Sequence, residues 1–353
     1  MCWRLKKQLS FVLMLTITFE ERKMRKTGFL LCALLFAAAG NAQTLKIATL
    51  TPEGSAWMKD MRASAAEINA QTDGRVTIKY YGGGSRGTDA KVLREMRLGR
   101  LQGGVFTPSA LMERYRNIGL YGMPMVFNSI AEANHVRSVM DSKIIAGLED
   151  AGFITFGFAA TGFAMMMSHE PVASLADLRG KRVWVPEGDE VSKATMDALG
   201  VNSIPLPLTD VYTAIQTGAL DIVTMSSVGA VLLQYHTKLK YVSDLPLIYT
   251  IGFMAIDKKA FSRLSTSDQQ VVRSVMSELY ARYDKLNIED EASAKEALFK
   301  AGMQKVVPEA GPLAELQAAV RKSNDELAAQ GMVSAELYEE MLDLVEAYRA
   351  GEQ

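Results

Sequence analysis

Few residues in this sequence have the types and spacing that catalysis needs. The three histidines, His135, His169 and His236, are far apart and lack the spacing of metal ligands. The sequence has no HExxH motif, no paired-cysteine motif and no Ser/His/Asp order on recognisable turns. It therefore predicts a protein that is not an enzyme and that holds no metal or cofactor.

A glycine-rich segment, YYGGGSRG at residues 80–87, exposes backbone N–H groups that could cradle a phosphate. It lacks the GK[ST] ending of a P-loop and the spacing of a dinucleotide-binding fingerprint. We interpret it as a flexible loop at a domain edge, with phosphate binding as the less favoured alternative.

An apolar segment and one tryptophan are better candidates for a binding site. FAMMMS at residues 163–168 has the composition of a core strand, but methionine also adapts to irregular ligand shapes. Trp184 stands in GKRVWVPEGD, residues 180–189, on an apolar strand that runs into a turn. Its indole N–H needs a partner, which a polar ligand in a cleft could supply. Core packing is the alternative for both features.

Strands and helices alternate around these candidates. A β-α-β order occurs in residues 44–107 and recurs after residue 153, which predicts two α/β domains with mostly parallel sheets. Ligands bind such sheets at the carboxyl ends of strands, here near Thr51, Gly84 and Thr107. Segments near 158–166 and 248–256 cross between the halves, so we expect a hinge and a cleft.

A long helix is predicted from Thr266, because no proline or glycine follows until Gly302. Thr266 and Gln269 fit a capping box. A helix of about 35 residues would be about 50 Å long and could brace both domains.

The N-terminal segment is typical of an exported protein. From Met24, a basic head precedes an apolar stretch, Phe29 to Ala39, and cleavage is expected after Ala42. We interpret Met24 as the true start, with a two-part signal anchor as the alternative. Both cysteines, Cys2 and Cys32, precede the cleavage site, so the mature chain would contain no disulfide. These features predict a periplasmic protein.

A net charge of −1 on 353 residues gives no electrostatic case for nucleic acid as a partner. The sequence favours a small molecule or another protein.

Residues 175–221, LADLRGKRVWVPEGDEVSKATMDALGVNSIPLPLTDVYTAIQTGALD, resemble the signature of solute-binding proteins of TRAP (tripartite ATP-independent periplasmic) transporters, of the dicarboxylate-binding type. KVLREMRLGRLQGG at 91–104 and GLYGMPMVF at 119–127 support the resemblance, which covers about 44–345. It implies an α/β, two-domain periplasmic-binding-protein fold (type II-like) with hinge strands and a long bracing helix. It also implies a monomer that delivers a small organic solute, typically an organic acid, to TRAP membrane permease subunits. A ligand-binding partner of a membrane sensor is the alternative.

The sequence departs from that family at its carboxylate clamp. The resemblance places the family's main arginine at Trp184, a second arginine near Ala164 and an asparagine near Met225. We predict that Trp184 forms an aromatic wall that stacks on the solute or attracts a cation, with core filler as the alternative. Whether the ligand carries a carboxylate stays open, since Arg86, Arg114 and Arg116 are possible anion partners. The predicted ligand-binding residues are Trp184, Ala164, Phe163, Met165, Met225, Thr107, Thr51, Leu208 and Arg86.

The predicted division has four parts. Residues 1–42 are an N-terminal extension with the signal peptide. Domain I comprises residues 43–162 and about 252–285. Domain II comprises residues 163–251 and about 286–353.

Overall fold

The computed structural model describes residues 42–351, apart from the side chains of residues 287–289. The predicted signal peptide, the start at Met24 and both cysteines lie outside these residues. The strands of the described chain are β1 (Gln43–Ala48), β2 (Val76–Tyr81), β3 (Gly103–Phe106), β4 (Phe153–Ile154), β5 (Ala159–Ser168), β6 (Arg182–Pro186), β7 (Asn202–Leu206), β8 (Ile222–Met225), β9 (Tyr241–Ser243), β10 (Ile248–Asp257) and β11 (Gln304–Val306).

These strands form one mixed sheet with the order β2-β1-β3-β10-β5-β8-β6-β7. β4 pairs with β10, β9 pairs with β5, and β11 pairs with β9. β1 and β3 are parallel, as are β6 and its neighbours β7 and β8, in agreement with the predicted β-α-β units. The centre of the sheet is antiparallel instead, because β5 and β10 run in opposite directions. The prediction of mostly parallel sheets therefore holds only away from the centre.

Short polar residues determine where many of the helices begin. Ser55, Thr88, Ser129 and Ser226 each accept a backbone N–H of the first turn of the helix that follows. The helices are α1 (Ala56–Gln71), α2 (Asp89–Arg97), α3 (Ile130–Asp150), α4 (Leu175–Leu178), α5 (Glu190–Ala198), α6 (Leu208–Gln216), α7 (Ser227–Leu232), α8 (Lys258–Phe261), α9 (Thr266–Lys300), α10 (Ala310–Ala329) and α11 (Ala335–Gly351).

Two sets of buried side chains lie on either side of the β5–β10 pair. The larger set, which we call the first lobe, is built on β1–β4 and α1–α3 and includes Ile47 and Val136. The core of the second lobe is built on β6–β8, α6 and α7 and includes Val223 and Ile215, while Val191 of α5 packs in the first core. β5 belongs to both, since Ala160 lies in the first core and residues further along the strand lie in the second.

The last helix, α11, packs on the first lobe. Its buried residues Tyr338, Met341 and Val345 belong to the first core, and Arg349 forms an ion pair with Glu132 of α3. The assignment of residues 286–353 as a whole to domain II therefore differs from the structure. An amphipathic helix in a sequence identifies its own apolar face but not the surface that covers it.

The long helix α9 confirms the predicted continuous helix, with 35 residues from Thr266 to Lys300. The predicted capping box is wrong, because Ser265 is the N-cap residue and its hydroxyl accepts the N–H of Asp268. The side chain of Gln269 instead donates to the carbonyl of Leu264. α9 contacts α1 in the first lobe, β5 at the centre and α7 in the second lobe, as expected of a brace.

A buried arginine connects this brace to the centre of the sheet. Arg137 of α3 is 5% exposed and donates to Asp141 at 3.0 Å, to Asp284 of α9 at 2.7 Å and to the hydroxyl of Tyr249 on β10 at 3.0 Å. Asp284 also accepts the backbone N–H of Ala160 on β5 at 2.8 Å. One guanidinium therefore connects α3, α9 and the two central strands.

Replacing Arg137 tests this junction. Arg137→Met would leave Asp141 and Asp284 without their cation, and we expect the free energy of unfolding to fall by about 3–5 kcal/mol. Arg100→Met is the matched control, because Arg100 is exposed and pairs only with Glu95 in the described chain, so its loss costs at most about 1 kcal/mol. Denaturant unfolding measures both; equal losses in the two variants would contradict the assigned role.

Candidate functional site

A cavity of about 340 Å³ lies between the two lobes. It is bounded by the carboxyl ends of β1, β3, β6, β7 and β8, where ligands bind in α/β sheets, and by the middle of β5 and β10. Six of the nine predicted site residues line it: Thr51, Thr107, Ala164, Trp184, Leu208 and Met225.

Three predicted residues lie elsewhere. Phe163 packs against the ring of Tyr249, with centroids 5.6 Å apart, and Met165 is buried in the second core. Successive side chains of a strand point to opposite faces, so Ala164 and Met166 line the cavity while their neighbours do not. The prediction of three consecutive residues, 163–165, as ligand-binding did not take this alternation into account.

Arg86 is the third predicted residue outside the main cavity. Its guanidinium stacks over the ring of Tyr81, 3.9 Å from the centroid, and a hydrogen bond from Arg86 lowers the pKa of that tyrosine. Arg86 borders a much smaller adjoining pocket, and the residues that line both this pocket and the main cavity are Thr49, Leu50, Asp89, Val105 and Phe106. Arg114 and Arg116, the other possible anion partners, do not line either pocket.

Trp184 combines the two interpretations that the sequence left open. It is 5% exposed and belongs to the second core with Val211 and Ile215, yet it also lines the cavity. Its indole N–H donates to the main-chain carbonyl of Leu206 at 3.0 Å. The partner expected from a polar ligand is therefore supplied by the neighbouring strand.

Arg182, two residues before Trp184 on the same strand, is paired within the protein. Its Nε and Nη2 donate to the two carboxylate oxygens of Asp221 at 2.9 and 2.6 Å. These hydrogen bonds hold the pKa of Asp221 below its usual value. Arg182 is not among the cavity residues.

The turn after β6 brings the two lobes close together. Gly188 has a φ of +82°, and a Cβ atom at this position would lie 3.1 Å from the carbonyl oxygen of Ser109 in the first lobe. On another side, a Cβ atom at Gly84 would lie 3.6 Å from the methyl group of Thr209 in the second lobe. The two lobes therefore approach each other closely at two places beside the cavity. Glycine suits position 188 because it adopts the positive φ of the turn and leaves room for the carbonyl oxygen of Ser109.

The charged groups of the cavity are all acidic. Asp89, Glu187 and Asp189 line it, and among its described lining residues there is no lysine, arginine or histidine. Burial, with a smaller effect from the charge of Glu187, raises the pKa of Asp89 to about 6. Asp189 is engaged as the N-cap of α5, accepting the backbone N–H of Ser192 at 3.0 Å and its hydroxyl at 2.7 Å. None of the three is among the residues predicted from the sequence, although Glu187 and Asp189 stand in the VPEGD turn.

The remaining wall is apolar and partly formed by α10. Leu316 and Val320 of this helix line the cavity together with Met125, Leu199 and Leu247. The contribution of α10 was not predicted from the sequence, because nothing local in this helix indicates which surface it covers. Trp57, which packs on Tyr283 of α9 at 5.6 Å, adds a second tryptophan.

The described residues contain no group of three or more His, Cys, Asp or Glu side chains arranged to hold a metal ion. None of the described helices combines the length and apolar composition needed to cross a membrane.

Comparisons with known proteins agree with this architecture. The family described as bacterial extracellular solute-binding protein, family 7, matches residues 47–330. A solute-binding protein of Roseobacter denitrificans is 24% identical over 238 residues, which are 67% of this chain and 73% of that protein.

Two solved structures share the fold. The sugar acid binding protein DctPAm from Advenella mimigardefordensis, in complex with galactonate, has a TM-score of 0.80 at 19% identity and covers 87% of this chain and 99% of its own. A TRAP periplasmic solute binding protein from Ochrobactrum anthropi, whose C-terminus is bound in its ligand-binding pocket, has a TM-score of 0.74 at 26% identity and covers 89% and 97%. These likenesses confirm the predicted two-domain binding-protein fold. They give no support to the alternative of a sensor partner.

Trp184 is expected to matter for stability through both its ring and its N–H group. Trp184→Ala should lower the free energy of unfolding by about 3–5 kcal/mol, because it leaves a cavity in the second core. Trp184→Phe retains an aromatic ring but loses the bond to Leu206, and should cost about 1–2 kcal/mol. Trp57→Phe is the control, since Trp57 is only half-buried. Denaturant unfolding gives the order, and an unchanged Trp184→Ala variant would show that this side chain is not part of the core.

Proposed function

The chain belongs to family 7 of the bacterial extracellular solute-binding proteins, and on this premise we propose that it captures a small organic solute in the cavity between its lobes. It is a transport protein and not an enzyme. The observation that supports this proposal most strongly is the largely apolar cavity at the strand ends of both lobes.

The connection between the lobes supports uptake by hinge closure. Gly162, on β5, has a φ of +88° and pairs with Thr250 of β10, next to a register shift between Thr250 and Ile251. A strand interrupted in this way bends more readily than a regular ladder. Both strands also line the cavity, so a change in their angle alters the distance between its walls.

The long helix α9 keeps the two lobes attached during such a motion. Asp284 holds the start of β5, while Glu291 accepts the backbone N–H groups of Ser227 and Val228 at the start of α7. Burial raises the pKa of Glu291, and these hydrogen bonds offset only part of that effect. The helix is thus anchored to the hinge and to the second lobe.

The proposed location is the bacterial periplasm, and the proposed partners are the membrane permease subunits of a TRAP transporter. The expected signal peptide supports export, and the relatives described as TRAP periplasmic proteins support the transporter class. We propose that the protein acts as a monomer, since one chain forms both walls of the cavity. After closing on its solute, the protein would deliver the solute to the permease and reopen.

Tryptophan fluorescence provides a direct test of solute capture. Trp57 and Trp184 both line the cavity, so a bound solute should change their emission, and small-angle scattering should show a smaller radius of gyration at saturation. The panel covers organic acids, aromatic acids, sugars, amines and quaternary amines. Trp57→Phe removes one of the two tryptophans that line the cavity and should reduce the size of the signal. A panel in which no solute changes emission or shape would contradict the proposal.

A further inference from the structure

The cavity has an unusual balance of charge for a site that would bind a carboxylate. A ligand carboxylate is normally held by arginine, lysine or several N–H donors. Here the position that resembles the family's arginine is Trp184, and no cationic side chain occurs among the described lining residues. Arg86, which lines the smaller adjoining pocket, is stacked on Tyr81 and does not line the main cavity.

Two of the three cavity carboxylates have no partner in the described chain. Asp89 begins α2 in the first lobe, and Glu187 stands in the turn after β6 in the second lobe. Neither side chain forms a hydrogen bond or an ion pair with another described residue, whereas Asp189 is engaged by Ser192. Asp89 is half-buried and Glu187 is exposed at the edge of the cavity. Partial burial of an unpaired carboxylate such as Asp89 is costly, and a cation placed between the two lobes would offset that cost.

A simpler explanation for an unpaired carboxylate at Asp89 is its position at a helix N-terminus, because the helix dipole stabilises acidic residues there. Asp210 provides the comparison: it occupies the first turn of α6 but does not line the cavity. Asp89 differs in lining the cavity together with a second carboxylate, that of Glu187, whose charge adds to the larger effect of burial in raising the pKa of Asp89. Helix capping alone does not account for this arrangement.

The rest of the cavity fits the body of an apolar molecule. Phe106, Tyr249 and the two tryptophans contribute aromatic surface, which attracts cations as well as apolar groups. Leu316 and Val320 close one end without any charged group. A volume of about 340 Å³ suits a small organic molecule.

We propose that the solute carries a cationic nitrogen on an apolar body, and that Asp89 and Glu187 bind this nitrogen from the two lobes. The inference rests on the proposed function, since it names the class of solute for the same cavity. A cation held by one carboxylate from each lobe also connects solute binding to closure. This class differs from the galactonate of the solved neighbour, which at 19% identity shares the fold alone.

Two sets of matched compounds test whether the cavity prefers a solute with a positive charge, no charge or a negative charge. The first set is 2-phenylethylamine, 2-phenylethanol and 3-phenylpropionate; the second is hexylamine, hexanol and hexanoate. In at least one set we expect the amine to bind more than about 10-fold more tightly than its alcohol and its acid, as measured by calorimetry, because a charged hydrogen bond has about that effect. An alcohol or acid that binds as tightly as the amine in both sets, or a lack of binding by both amines, would overturn the inference.

Variants of Asp89 and Glu187 then test whether these two residues cause the preference for the amine. Asp89→Asn and Glu187→Gln should each weaken the amine by about 10- to 100-fold and leave the alcohol nearly unchanged. The controls are Asp210→Asn and Glu190→Gln, which remove a charge from the first turn of α6 or α5 without altering the cavity lining. If the controls weaken the amine as much, the effect is general electrostatics and the assignment to Asp89 and Glu187 is wrong.

The outcomes separate this inference from the proposed function. Tight binding of an organic acid or a sugar, with the fluorescence change and compaction expected of capture, would leave the function standing and refute the cationic class. Failure of every solute in the wider panel would refute both. Melting curves of each variant confirm that a loss of affinity is measured on folded protein.

Discussion

The antiparallel pairing of β5 with β10 is the contact on which the rest of the structure depends. These two strands join the sheet of the first lobe to that of the second, so the cavity between the lobes has them as its base. Their hydrogen bonds also set the orientation of Ala164 and Met166 toward the solute and of Phe163 and Met165 away from it. A shift of one residue in this pairing would exchange the two sets.

The surrounding elements stabilise this pair. Arg137 and Asp284 bind its first-lobe side, and Glu291 connects the brace α9 to the start of α7. At the middle, the side chain of Thr250 donates to the carbonyl of Gly162 at 2.7 Å. The pair is thus held by α3 and α9 on its first-lobe side, and the irregular position keeps a side-chain hydrogen bond between the two strands.

Trp184 links the fold to the choice of solute. As part of the second core it contributes to stability, and as part of the cavity it replaces a charged group by an aromatic surface. With the arginine position occupied in this way and Arg182 bound to Asp221, the unpaired charges that face the solute are those of Asp89 and Glu187. The cavity consequently favours a solute with a positive charge. Its selectivity depends on these carboxylates, because they have no partner within the protein.

Periodicity and helix breakers predicted much of this architecture. The absence of proline and glycine between Thr266 and Gly302 gave the long helix, and the rule on strand ends placed Thr51 and Thr107 at the cavity. Facing directions on β5 and the docking of α11 depend on long-range packing, which local sequence does not encode. The carboxylates were missed for a related reason: acidic residues are common on surfaces, and only the fold brings Asp89 opposite Glu187.

A crystal structure of the protein with the solute it retains when purified from its own cells tests the central claim most directly. The account predicts electron density in the cavity between the lobes, with a nitrogen of the solute within hydrogen-bond distance of the carboxylates of Asp89 and Glu187. A solute that presents a carboxylate to these residues, or one that binds outside the cavity, would contradict it.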